Sequence, residues 1–205
     1  MFDTRFEELT FTVFDTETTG MAPDKGARLV ELAAVKVKPG LVLDLSDTFD
    51  TLIDPKTNIP YGAYAIHGIN TRMVAGKPEA KEVLPEFFSF AGDSIIVAHN
   101  ARFDCSFVEH HSAEAGIANP LTRILDTVRL AKAAHKGLKS YSLGNLIQHF
   151  EMNIPLPDTY RHRALYDAAH TALLLTICLK KLSSENICTM RHLFQLSKSP
   201  VHCWK

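Results

Sequence analysis

The order of the apolar runs constrains this chain more than any other feature of its sequence. Phe11–Phe14 (FTVF) reads as a short buried strand. Residues 29–38 have strand character, with Val35 and Val37 alternating with Lys36 and Lys38. Pro39-Gly40 is a turn signal, and Leu41, Leu43 and Leu45 alternate after it, which gives an antiparallel hairpin extending to Ile53. Residues 54–69, rich in Pro, Gly and Asn, read as a long loop. Beyond it the pattern changes. A helix is expected over 81–91, a buried strand over 94–99, and a helix that Asn100 can cap. A short strand at 123–126 and helices at 127–134 and 143–150 follow. The strongest helix is 164–182, whose wide apolar stripe includes Leu165, Ala168, Ala169, Ala172 and Leu179. Strands first, then strands alternating with helices, predict an α/β sandwich around a mixed sheet.

With 205 residues, 46% of them hydrophobic, the chain can build one sizeable core. Residues 183–205 have weaker periodicity and are expected to form a short helix or a tail. Ile187, Met190, Leu193, Phe194 and Leu196 give this segment a partial apolar face. That face either packs on the chain's own core or docks a partner.

The formal net charge is -1, so no generic basic groove is visible in the totals. A polyanion would have to be held locally or through bound cations. The N-terminus MFDTRFEELT lacks the apolar core of a signal peptide, and no run of about 18 apolar residues suggests a membrane span. The four cysteines show no CxxC spacing and read as reduced, packed thiols. A soluble, cytoplasmic protein with no membrane partner is the expectation.

Against this background the end of the first strand stands out. In FDTETTG (14–20), Asp15 and Glu17 lie two residues apart, so they point to the same face if the strand continues through Thr16. Two carboxylates about 4 Å apart repel by roughly 4 kcal/mol at an effective dielectric near 20. They must splay into water, share a proton or hold cations. Asp104 lies in the first turn of the helix after the strand IIVAH, and Asp167 near the start of the long helix. Taken alone, either could be an acid favoured by a helix dipole. His162 lies five residues before Asp167. Five residues turn an ideal helix by about 500°, so the two would not share a face, and His162 is expected on the preceding loop.

The segments FDTETTG, IHGI (66–69), VAHNARFD (97–104), LDT (125–127), YSLGNL (141–146) and HRALYDAAHTALLL (162–175) resemble the successive motifs of the DEDDh 3′–5′ exonucleases. Within that family the chain is most similar to the proofreading epsilon subunits of bacterial replicative DNA polymerases. The resemblance covers residues 10–182 and implies a ribonuclease H-like mixed sheet flanked by helices. It implies an exonuclease domain over residues 1–182, with 183–205 as a C-terminal segment.

The resemblance also implies roles. Asp15, Glu17 and Asp167 resemble the ligands of one divalent ion. Asp15 would bridge to a second ion, with Asp104 reaching it directly or through water. Mg²⁺ or Mn²⁺ suits all-oxygen ligands. His162 resembles the general base. Thr18, Thr19 and Gly20 resemble the turn that meets the 3′-terminal nucleotide. Ile66 and His67 resemble the loop that wedges against the terminal bases, and Asn100 an asparagine facing the backbone. For His67 a structural loop histidine is the competing reading. Phe103 reads as core, Asp126 as a helix cap, His99 and His170 as structural, and His110-His111 as an exposed helix face. Arg161, Arg163, Lys136 and Lys139 either touch phosphates or are solvated.

The implied activity is metal-dependent hydrolysis of single-stranded DNA from a 3′ end to mononucleotides, in proofreading or repair. The partner implied is that 3′ end, and a DNA polymerase where the chain serves as its subunit. A 3′–5′ exoribonuclease of the same superfamily is the alternative, since fold alone does not read the 2′-hydroxyl. A non-catalytic nucleic-acid-binding module is the reading from outside the enzyme class. The four acids and the histidine argue against it.

Overall fold

In a computed structural model of the chain, residues 3–121, 124–156 and 162–197 are described. Five strands form one sheet in the order β3-β2-β1-β4-β5. Strand β1 (Phe11–Thr18) pairs antiparallel with β2 (Leu29–Lys38), and β2 pairs antiparallel with β3 (Val42–Leu52). On its other side β1 runs parallel to β4 (Ile95–Ala98), and β4 runs parallel to β5 (Ile124–Asp126). This is a mixed sheet flanked by helices, as the order of apolar runs predicts, with the ribonuclease H-like arrangement that the resemblance implies. The tight turn at Pro39-Gly40 sends β3 back along β2, with Gly40 at φ 81, a conformation that costs glycine little.

The two faces of β1 feed two cores because successive side chains alternate. Phe11 and Val13 face one side with Val35 and Val37 of β2, beneath the long helix α7 (Ala164–Ser184). Helices α5 (Thr127–Ala134) and α6 (Leu143–His149) complete this layer, with Leu130, Ala131 and Leu146 buried in it. Phe14 faces the other side with Leu32 and Ala34. There it meets α3 (Ala80–Ala91) and α4 (Arg102–Ala115), which contribute Leu84, Phe87 and Phe107.

Several expectations are corrected. Strand β1 runs on to Thr18 rather than ending at Phe14, because it keeps pairing with β2 through the acids. The stretch expected as one long loop, residues 54–69, contains α1 (Tyr61–His67), and α2 (Thr71–Val74) follows directly after it. Pro, Gly and Asn residues mark the helix ends: Pro60 and Asn70 are N-caps, and Gly68 at φ 71 closes α1. Asn100 does not cap α4; Ala101 holds that place, with no side-chain cap. His111 is buried rather than exposed and accepts a hydrogen bond from the Leu29 N–H at Nε2. Asp126 does cap α5, accepting from Val128 N–H at 2.8 Å.

Past the long helix, α8 (Met190–Ser197) packs Met190 and Leu193 into the main core, with Ile187, Phe194 and Leu196 against it. Backbone hydrogen bonds from Phe6 to Cys188 and from Met190 to Thr4 tie this segment to the N-terminal end. Its apolar face is therefore covered by the chain itself. Among the described residues, Cys105, Cys178 and Cys188 are in no disulfide, and no helix is long and apolar enough to cross a membrane. Arg161, Arg123 at the start of the strand expected at 123–126, and residues 198–205 of the C-terminal segment lie outside the described residues.

Candidate active site

Two elements converge at one end of the sheet. Strand β1 carries Asp15 and Glu17 on the α7 face, and α7 carries Asp167 in its first turn. One carboxylate oxygen from each of Asp15, Glu17 and Asp167 lies within 4.8 Å of the others. The alternation of the strand thus brings the acids together as its spacing requires, and α7 adds the third from across the layer.

Asp104 stands beside this group, not in it. It is 2% exposed, and its Oδ1 accepts from the Thr16 backbone N–H at 3.0 Å and from Thr16 Oγ1 at 2.7 Å. Thr16 points away from Asp15 and Glu17, so β1 presents acids on one face and a clasp for Asp104 on the other.

The electrostatics of this arrangement decide what it can hold. Burial, then the charges of Asp104 and Asp167, hold Asp15 far above the ordinary carboxylate range. Burial, then Asp167 and Glu31, push Glu17 up to about 9. Burial pushes Asp104 up to about 7, against the opposing hydrogen bond from Thr16. Protein alone does not stabilise these carboxylates as anions. A divalent cation among their oxygens would, because opposite charge within a few ångströms favours the ionised form. The donors are hard oxygens with no thiolate among them, which fits Mg²⁺-like rather than soft metals.

His162 lies on the loop before α7, exposed and outside the three-acid group. Its φ of 60 puts it in the left-handed region, which non-glycine residues occupy at a cost. Asn100 shares that conformation at φ 60, and its backbone N–H reaches Asp126 Oδ1 at 3.2 Å. Thr18 and Thr19 are buried and hold their own turn. Thr18 Oγ1 donates to Gly20 O at 2.6 Å, and Thr19 Oγ1 accepts from Arg28 N–H at 2.9 Å. On α1, His67 turns inward and accepts from the Ile69 N–H at Nδ1, whereas Ile66 is 62% exposed. Phe103 packs partly buried on the α3–α4 core, 5.2 Å from Phe107 between ring centroids. His99 meets Thr127 Oγ1 at 2.9 Å, and His170 bonds the Tyr166 carbonyl, so both are structural.

One residue near the acids escaped the reading of the sequence, and another was given the wrong role. Glu31 lies directly opposite Glu17 in the β1–β2 register and is 1% exposed. Arg163 is neither solvated nor free for phosphate. Its guanidinium grips both oxygens of Glu31, with Nε at 3.0 Å from each and Nη2 on Oε1. The available signal was a lone charge in an apolar strand, LVELAAV, since a buried charge needs a partner.

Comparison with known proteins gives a consistent picture. A family model described as exonuclease, of the RNase T type, matches residues 12–175. A PolC-type DNA polymerase III of Clostridium perfringens is 38% identical over 177 residues, covering 85% of this chain and 12% of that polymerase. A DNA polymerase III subunit epsilon-like protein of Rhodobacter capsulatus is 37% identical over 189 residues, covering 91% of this chain and 26% of that protein. The chain thus spans about an eighth and about a quarter of these two curated relatives. Among solved structures, Exonuclease X in complex with 5′ overhanging duplex DNA aligns with a TM-score of 0.71 and 29% identity. That alignment covers 91% of this chain and 99% of the other.

Proposed function

We propose, for a chain that belongs to the DEDDh exonuclease family, that it is a 3′–5′ exonuclease releasing mononucleotides from single-stranded DNA ends. The observation that carries this reading is the group of Asp15, Glu17 and Asp167 oxygens within 4.8 Å of one another, at a sheet end where burial disfavours uncompensated charge. In this reading those three acids hold divalent cations, Mg²⁺ or Mn²⁺, with Asp104 supporting a second position from the Thr16 side. When bound, such cations supply an activated water and neutralise charge on the attacking and leaving oxygens.

The chain's own groups do the rest. His162 takes the proton of the attacking water and is free to do so because it sits exposed on a loop. Thr18 and Thr19 fix the turn whose backbone meets the terminal nucleotide, and Asn100 faces the sugar–phosphate backbone. On α1, Ile66 presents an apolar edge to the terminal base, and the inward His67 supports the turn beneath it. We assign the catalytic unit to residues 1–182, with the segment after it contributing α8 to the same core. Proofreading or repair in the cytoplasm, alone or with a DNA polymerase, is the setting this reading supports, given relatives named as polymerase III proteins.

The test is digestion of 5′-labelled DNA and RNA oligonucleotides with Mn²⁺ and with EDTA. Stepwise loss from the 3′ end of DNA, abolished by EDTA and by Asp15→Ala, is expected, as is protection by a bulky 3′ block. Rapid nicking of single-stranded circles, or full activity in EDTA, refutes the reading. Preference for RNA would move the chain to the exoribonuclease branch.

A further inference from the structure

The buried pair Glu31–Arg163 does something its neighbourhood makes specific. Glu31 sits on β2 directly across from Glu17, and both its oxygens are gripped by the Arg163 guanidinium. Glu31 Oε2 also accepts the Ala164 N–H at 2.9 Å, satisfying one of the orphan donors at the start of α7. Arg163 is the N-cap of that helix, in extended conformation, and its carbonyl accepts the N–H of Asp167 at 3.1 Å. A continuous path of bonds therefore runs from the strand position facing Glu17, through Glu31 and Arg163, to the backbone of Asp167.

We propose that Glu31 and Arg163 form a latch that sets Asp167 against Asp15 and Glu17, so that the three carboxylates are positioned for a divalent cation before one arrives. The proposal rests on the exonuclease reading above for the use made of that cation, but not for the binding itself. Neither residue touches substrate; both are positioning residues. The fork geometry explains why arginine occupies position 163. A lysine would supply a point charge but could not grip both oxygens and fix the direction of the chain. The latch also divides the loop from the helix. Arg163 is pinned, whereas the adjacent His162 is exposed, so the acids stay fixed while the histidine keeps freedom to move.

Removing one partner would leave a buried charge uncompensated and could unfold the chain, so the decisive variant removes both charges. In Glu31→Gln/Arg163→Met the glutamine keeps an acceptor for the Ala164 N–H, and methionine fills the arginine stem's space. Three measurements are made on the full chain: Mn²⁺ affinity by calorimetry, melting temperature in EDTA, and kcat and KM on a 5′-labelled oligonucleotide. The latch predicts a cooperative melt near wild type but Mn²⁺ affinity weakened about 10- to 100-fold, the range seen when groups orienting metal ligands are lost. The fall in activity should appear in kcat more than in KM, and Arg163→Lys should recover part of the Mn²⁺ affinity. If the double variant melts like wild type and binds Mn²⁺ within about threefold of it, the pair is structural and the proposal is wrong. If the wild type binds Mn²⁺ but degrades no DNA, the exonuclease reading fails, and the affinity comparison still decides the latch. If the wild type binds no Mn²⁺, the latch fails as well.

Discussion

Substituting Glu17 by glutamine in the metal-free protein should remove a defined part of its pH dependence. Glu17 is pushed up to about 9 from 4.5, first by burial and then by Asp167 and Glu31. The folded chain therefore keeps this proton to higher pH than the unfolded chain does. The resulting stability is fully present below pH 4.5 and is lost as pH rises through about 9. At about 1.4 kcal/mol per unit the whole shift would be roughly 6 kcal/mol. The side chain keeps part of its surface open and shares its repulsion with three acidic neighbours, Asp167, Glu31 and Asp104, so roughly half, about 3 kcal/mol, is the working figure. For a chain of this length that corresponds to about 10 °C in melting temperature. The assay is thermal unfolding in EDTA at pH 5 and pH 9 for wild type and Glu17→Gln. The wild type should lose about 10 °C more than the variant between the two pH values. Asp15 and Asp104 are also held above the ordinary range and contribute to the fall in both proteins, and because Asp104 helps raise Glu17 the difference includes their mutual repulsion. Adding Mn²⁺ should flatten the wild-type slope, because a cation at 100 times its Kd adds about 2.7 kcal/mol and favours the ionised acids. The variant should respond much less. Equal pH slopes for the two proteins in EDTA would show that Glu17 carries no excess charge cost, and the electrostatic argument for a cation site would fall.

His162→Ala should lower single-turnover cleavage about 10²- to 10⁴-fold while leaving Mn²⁺ affinity nearly unchanged, the mark of a lost general base. Asp167→Ala should lose both, and equal metal loss in the two variants would make His162 a ligand or a structural post. Leu193→Ala should cost about 2–5 kcal/mol of stability, because Leu193 is fully buried in the core beneath α8. Its cleavage rate well below the melting temperature should match wild type. A stable Leu193→Ala chain would mean that the helix packs loosely enough to be displaced by a partner.

What the sequence determined by itself is local and periodic. The alternation Phe11, Val13, Asp15, Glu17 places two acids on one strand face wherever that strand lies, because the strand period is two. The stripe on α7, the Pro39-Gly40 hairpin and the Asp126 cap are equally local, so their positions could be read directly. The helices within 54–74 were not legible, since short segments without a periodic apolar face give no signal against their Pro and Gly content.

What only the tertiary structure decided is which distant charges meet. Nothing local says that Glu31 faces Arg163, 132 residues away, or that Thr16 clasps Asp104, 88 residues away. The apolar face of α8 could not be assigned to the core or to a partner until α5 and β5 were in place against it. A buried charge is tolerated only beside its complement, and that complement is chosen by register and helix docking, which emerge when the sheet assembles. The sequence carried the acids of the site; the fold decided the angle at which they are held.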